Sequence, residues 1–395
     1  MINTSQGLPL ATSTWDEAED AALQRVIASG RFSMGEEVAR FESDFAEALG
    51  SRHAVMVNSG SSANLLAVAA AVHSPSVALR PGDEVIVPAV SWSTTYFPLH
   101  QLGLRMRFVD VDPETLNLDL QQVVDACGPA TRAIMAVNLL GNPNDFDSLT
   151  ALCRERDLVL LEDNCESLGA TFNGKSAGTY GTAGTFSTFF SHHISTMEGG
   201  VVVTDDEVLH HHLLSLRAHG WTRDLPARNH VHDKVGDPFV DSFKFVLPGY
   251  NVRPLEMSGA LGQCQLEKLP SIVQGRRANA VHVKEALGSR EDVSLQKETG
   301  QSSWFGFSLL LRGRLEGRRR EVVEALARRR VECRPIVAGN FTKNPVMAYL
   351  DAHVPASLPV ADHVDENGLF FGNHHFDISS EIPAIVEALD EVAVR

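Results

Sequence analysis

Residues 55–68 read VMVNSGSSANLLAV. A β-type apolar run ends at Val57, a turn of small residues follows, and a helical stretch opens near Ser61. The first backbone N–H groups of a helix have no partner within it and favour an anion, and Gly60 would let a phosphate come close to the backbone. Glycine and serine also occur in plain strand-turn-helix junctions, and the absence of G-x-G-x-x-G speaks against a dinucleotide. Residues 158–170, LVLLEDNCESLGA, add a buried strand that sets Glu162, Asp163 and Glu166 at its carboxyl edge, where ligands of open α/β sheets sit. An acid there can hold a protonated ring nitrogen or simply cap the next turn. Residues 184–204, GTFSTFFSHHISTMEGGVVVT, supply another strand, the pair His192 and His193, and a Gly-Gly hairpin into one more strand.

Working outward, apolar runs at 54–57, 84–87, 106–109, 134–137, 158–161, 185–189 and 201–203 predict about seven strands, mostly separated by helix-length segments. That pattern is one large α/β sheet domain. Pro248, Gly249 and Pro254 interrupt the chain, and an amphipathic stretch over 256–273 predicts a connecting helix. FGFSLLL at 305–311, an Arg-rich helix over 317–330, VECRPI at 331–336 and a terminal helix over 381–394 predict a smaller α/β lobe. The expected division is 1–250 for the large domain and 251–395 for the small one with its connecting helix.

The chain has 395 residues, 44% hydrophobic and 21% charged, the composition of a soluble globular protein. Its net charge of −16 argues against nucleic acid as a partner, since a polyphosphate backbone needs clustered Lys and Arg. Cys127, Cys153, Cys165, Cys264 and Cys333 are scattered, with no C-x-C or C-x-x-C pair, so no metal or disulfide framework is indicated. The N-terminal residues lack a basic stretch before an apolar one, and the longest apolar run, 63–72, is about half a membrane span. A cytoplasmic protein without a membrane partner is expected.

The three stretches, in this order and spacing, resemble the sugar aminotransferases that bind pyridoxal phosphate. SGRFSMGEEVARFESDFAEALG (29–50), VDVDPETLNLD (109–119) and LPGYNVRPLEMSGALGQCQLEKL (247–269) extend the likeness through nearly the whole chain. The resemblance implies the type I aspartate-aminotransferase fold, with a large mixed seven-stranded sheet domain and a smaller C-terminal α/β domain. By position it implies that Gly60, Ser61 and the Ser187 hydroxyl hold the cofactor phosphate. Trp92 would stack on the ring, Asp163 would pair with the ring nitrogen, and Glu166 would stand near the phenolic oxygen. Asn251 would reach the phosphate of a neighbouring subunit, so the site would be shared across a homodimer. For Trp92 and Asn251 taken singly, core packing and turn formation are the structural alternatives.

The departure decides the expected function. Family aminotransferases carry lysine where this chain has His192, and between Met1 and Asp233 the sequence holds only Lys175, in a polar turn far upstream. Histidine exchanges protons near neutral pH but cannot tether pyridoxal, so a cofactor held non-covalently and cycling through pyridoxamine phosphate is implied. Two subgroups carrying histidine remove the 3-hydroxyl from a nucleotide-linked 4-keto-6-deoxyhexose. One uses an iron–sulfur cluster with a C-x-C pair, absent here. The other, of the colitose pathway, acts on a GDP-linked sugar with L-glutamate as amino donor, and VNLLGNPNDFD (137–147), SHHISTMEGG (191–200), RAHGWTRDLP (217–226) and RPIVAGNFTKNP (334–345) resemble it. His192 is then the expected acid/base. The turn Gly30, Arg31, Phe32, Ser33 with His219, Arg223, Arg253 and Glu332 match substrate-side positions. A sugar aminotransferase with an unusual base and a non-catalytic protein on the same scaffold are the rivals.

Overall fold

The protein is described from a computed structural model covering residues 7–394. In chain order its main strands are β1 (His53–Val57), β2 (Glu84–Pro88), β3 (Arg105–Val109), β4 (Thr131–Val137), β5 (Val159–Asp163), β6 (Ala183–Ser187) and β7 (Gly200–Thr204), followed by β8 (Val293–Ser294), β9 (Gly306–Leu311), β10 (Cys333–Arg334), β11 (Ala352–His353) and β12 (Gly368–Gly372). The large sheet runs β1-β7-β6-β5-β4-β2-β3-β11. Only β7 is antiparallel to its neighbours, so the sheet is mixed. The seven strands predicted from apolar runs all form. An eighth, β11, was not foreseen: two residues from the C-terminal third pair with β3 at the sheet edge.

Side-chain alternation sorts the core of this sheet. Val85, Val87, Ala133 and Met135 join the helices Gly60–His73 and Glu207–Arg217 on one face, while Ile86, Ile134 and Ala136 meet Phe146 and Leu149 on the other. Strands buried on both faces read as continuous apolar runs, which is why the sequence marked them. The smaller sheet, β8-β9-β12-β10, is wholly antiparallel and packs on the Arg319–Arg328 and Ile382–Val394 helices. The chain crosses between the lobes at both ends: Leu8 bridges Val331 of the small lobe, and β11 returns to the large sheet.

The connecting helix spans Glu256–Leu287, well beyond the expected end at residue 273. Gly275, Arg276 and Arg277 resemble a polar break in the sequence but have tertiary roles. A Cβ at Gly275 would stand 2.2 Å from the His375 carbonyl oxygen, and the buried Arg276 donates to the carbonyls of Trp304 and Phe305. At the other end Glu256 caps a different helix. Its carboxylate accepts the N–H groups of Gly35 and Glu37 at 2.6 and 2.7 Å, where Glu36–Leu49 begins without a side-chain cap of its own.

Candidate active site

Five parallel strands bring their carboxyl ends to one cleft of about 310 Å³. Ser59, Gly60 and Ser61 follow β1, Ser91 and Trp92 follow β2, Val137 ends β4, Asp163 ends β5 and Ser187 ends β6. Wider depressions of about 650 and 940 Å³ lie elsewhere, without such a convergence of strand ends. The cleft is therefore singled out by topology rather than by size.

Its first wall is an anion cradle. Ser59 caps the helix Gly60–His73 by accepting the Ser62 N–H at 3.1 Å, which leaves the Gly60 and Ser61 amides without intrahelical partners. A Cβ on Gly60 would lie 2.6 Å from Ser187 Cβ, so only glycine lets the helix start and the Ser187 hydroxyl line one concavity. Gly200 is pressed equally close, its Cβ position 2.3 Å from the Ser59 carbonyl oxygen.

The opposite wall is a flat aromatic and a fixed acid. Trp92 is 55% exposed and borders the cleft. Asp163 is buried, and its Oδ2 accepts the Thr95 hydroxyl at 2.7 Å and the Asn64 amide at 2.8 Å, while Oδ1 accepts the Cys165 N–H at 3.1 Å. Asn64 and Thr95 escaped the sequence reading. The available signal was a polar Asn64 within the otherwise apolar ANLLAVAAAV. Of the other two carboxylates that end this strand and loop, Glu162 points away and accepts the Gly178 and Gly181 N–H groups at 2.7 and 2.6 Å. Glu166 faces the cleft, with Oε2 accepting the Leu140 N–H at 3.0 Å. Enclosure by protein pushes its carboxyl up to about 7, with the Leu140 amide and Arg334 acting the other way.

His192 stands on the third side, its ring 5.1 Å from that of Phe305. Nδ1 is buried without a partner, leaving Nε2 as the nitrogen available to a substrate. Burial first, then the charges of Arg334 and Arg276, press this imidazole down to about 3, so in the empty cleft it is neutral. His193 turns away, with Nε2 donating to the Ser303 carbonyl at 3.1 Å. His374 is likewise structural, bound to the Thr12 hydroxyl and the Pro9 carbonyl. Among the described residues, no lysine lines the cleft. Arg334, which the sequence reading quoted within a motif without giving it a role, does.

The remaining expected residues lie outside the cleft. Arg253 donates to Asn251 Oδ1 at 2.9 Å, and the guanidinium groups of Arg223 and Arg253 lie 4.0 and 5.5 Å from the Trp221 ring, which the His219 ring also meets. Gly30, Arg31, Phe32 and Ser33 adjoin this face, since Ser33 bridges Leu255 and the Phe32 carbonyl accepts the Glu256 N–H. Glu332 belongs to neither group. Its carboxylate accepts the Leu10 N–H at 2.9 Å and borders a separate depression of the small lobe, because the bridge from Leu8 to Val331 ties this segment to the N-terminal segment around Leu8.

A family model for the DegT/DnrJ/EryC1/StrS aminotransferases matches residues 13–390. The chain belongs to this family. Within it, the chain is 57% identical over 391 residues to GDP-4-keto-6-deoxy-D-mannose 3-dehydratase of Yersinia pseudotuberculosis, covering 98% of both chains. Two crystal structures of GDP-4-keto-6-deoxymannose-3-dehydratase, one with a trapped PLP-glutamate geminal diamine and one a His-to-Asn variant with bound GDP-perosamine, superpose with a TM-score of 0.95. Each is 53% identical, covering 97% of this chain and 100% of the other. The family's fold is the one described above.

Proposed function

We propose that this protein removes the C3 hydroxyl of a GDP-linked 4-keto-6-deoxyhexose, using pyridoxal phosphate and L-glutamate. The observation that carries the reading is His192 in a cleft without lysine whose other walls suit the cofactor. The cradle at Gly60, Ser61 and Ser187 fits a phosphate, and a Cβ would fill it. Trp92 offers a flat face for the ring, and Asp163 offers a fixed carboxylate for the ring nitrogen. Likeness to dehydratases crystallised with a glutamate adduct and with a GDP-sugar supports the donor and the nucleotide.

When bound, pyridoxal phosphate supplies an aldehyde that exchanges for an amine with glutamate and a ring that takes up electrons. Glutamate thereby contributes the two electrons that replace C3–O by C3–H, leaving 2-oxoglutarate, ammonia and a sugar lighter by one oxygen. His192 Nε2 accepts a proton in the cleft and returns it to the departing C3 oxygen. With no lysine to hold the cofactor between half-reactions, the site suits dehydration rather than transfer of the amine to the sugar.

The shared site is part of the proposal. Asn251, Arg253, Arg223 and His219 stand beside Phe32, Phe243, Phe245 and Leu255, which are 49–62% exposed. A second copy covering this face would carry these polar groups to its neighbour's cleft.

The test is incubation with pyridoxal phosphate, glutamate and GDP-4-keto-6-deoxymannose. We expect one 2-oxoglutarate for each sugar that loses one oxygen. Formation of a 4-amino sugar with the 3-hydroxyl retained would replace this reading with an aminotransferase.

A further inference from the structure

His193, His212 and His374 each donate from a ring nitrogen to a backbone carbonyl, those of Ser303, Val208 and Pro9. His192 differs. Among the described residues no hydrogen bond reaches its ring, and its Nδ1 is buried. Aromatic rings stand around it instead. Phe305 lies 5.1 Å away, centroid to centroid, at an interplanar angle of 48°, and Phe189 lies 6.0 Å away at 74°. Both separations are those of attractive aromatic pairs.

The backbone of Phe305 is held from two directions. Its N–H donates to the Leu140 carbonyl at 3.0 Å, in the turn after β4, and its own carbonyl accepts the Arg276 guanidinium at 2.9 Å, on the connecting helix. A Cβ on Gly141 would stand 2.6 Å from the Trp304 amide nitrogen, so glycine lets the two segments press together. The Leu140 N–H donates in turn to Glu166, so one turn sets both the acid of the cleft and the ring behind His192. Phe305 is 6% exposed and is not among the residues that line the cleft. It meets His192 without facing what the cleft would hold.

We propose that Phe305 is a positioning residue for the proton transfer, holding the plane of the His192 ring where no hydrogen-bonded partner does. The inference rests on the dehydratase reading, in which one imidazole takes a proton in the cleft and gives it to the departing C3 oxygen. A carboxylate on Nδ1 would fix the ring and also stabilise its protonated form, which favours the first transfer and opposes the second. An aromatic neighbour fixes the plane without fixing the charge. The same nitrogen can then serve as acceptor and donor in turn.

The experiment uses the protein loaded with pyridoxal phosphate and supplied with glutamate and GDP-4-keto-6-deoxymannose. Wild type is compared with Phe305→Leu, which removes the ring but keeps an apolar side chain. A catalytic group misplaced by about 1 Å loses on the order of 100-fold in rate, so turnover should fall about 10- to 100-fold. Cofactor affinity and the half-saturating concentrations of glutamate and sugar should stay at their wild-type values. Crystal structures of the loaded proteins should show His192 in one orientation in wild type and in several in Phe305→Leu. Phe305→Tyr, which restores the ring, should recover most of the turnover, and Phe305→Met carries the comparison if Phe305→Leu does not fold. Unchanged turnover with a lowered melting temperature overturns the proposal, since core packing alone would give that result. Raised half-saturation at unchanged turnover overturns it too, by making Phe305 a substrate contact. Should wild type show no dehydration at all, the dehydratase reading falls, and the orientations of His192 in the crystals alone decide whether Phe305 holds the ring.

Discussion

At His192 one residue separates two chemistries, because an imidazole moves protons but cannot anchor an aldehyde. His192→Asn keeps polarity without the proton transfer, and we expect the dehydration rate to drop about 10²- to 10⁴-fold with cofactor and sugar still bound. Separate binding and turnover measurements check this, and near-normal turnover would remove His192 from the mechanism. Glu166 makes a prediction about pH. Its carboxyl is raised to about 7, so between the ordinary glutamate range and pH 7 the folded protein holds a proton that the unfolded chain has lost. The ionised form is penalised only in the folded state, and stability therefore falls as pH rises through that window. Glu166→Gln should stabilise the cofactor-free protein at pH 8 and do little at pH 4, by on the order of 1 to 2 kcal/mol once solvent screening in the open cleft is allowed for. Thermal melting at the two pH values reads the difference. Asn64 holds Asp163 and accepts the Thr185 hydroxyl, both within the core. Asn64→Ala strands these groups, costing about 1 to 3 kcal/mol in stability, and should weaken the cofactor in a spectroscopic titration.

At the level of elements, the site depends on how closely backbones approach. The helix Gly60–His73 opens against Ser187 with no room for a methyl group. Gly60→Ala should tilt the helix start and weaken binding of pyridoxal phosphate by about tenfold or more, since the misplaced amides are those that face the phosphate. Fluorescence titration measures it, and an unchanged affinity would place the anion elsewhere. The connecting helix shows the same dependence at its packing face. Cβ positions on Gly259 and Gly262 would stand 2.5 Å from the Val38 amide nitrogen and 2.6 Å from the Phe41 ring. Glycines that would loosen an isolated helix here permit the contact with Glu36–Leu49, and that contact helps seat the Gly30–Ser33 turn.

For the whole molecule the prediction concerns assembly. Phe239 is 82% exposed in the segment whose Ser242 carbonyl accepts from Arg223. Phe239→Asp should shift sedimentation toward the monomer and lower cofactor affinity together, if Asn251 and Arg253 act across the interface. Loss of the dimer with full affinity would confine the site to one chain. The sequence by itself determined seven of the eight strands of the large sheet, because segments buried on both faces must be apolar throughout. The family resemblance carried by that sequence pointed to Gly60, Ser61, Trp92, Asp163, Glu166, Ser187 and His192, and all seven line one cleft. What only the tertiary structure decided are relations between distant segments. The two-residue strand Ala352–His353 has no periodic signature and exists because β3 offers an edge. Arg276 reads as a surface cation until the carbonyls of Trp304 and Phe305 are placed around it. Arg334 becomes a cleft residue only when the small sheet brings it to the cleft that His192 lines, and Glu332, two positions earlier, is drawn off by the N-terminal segment. A sequence records which side chains can be buried or charged, but the partner that satisfies each one is fixed by long-range packing.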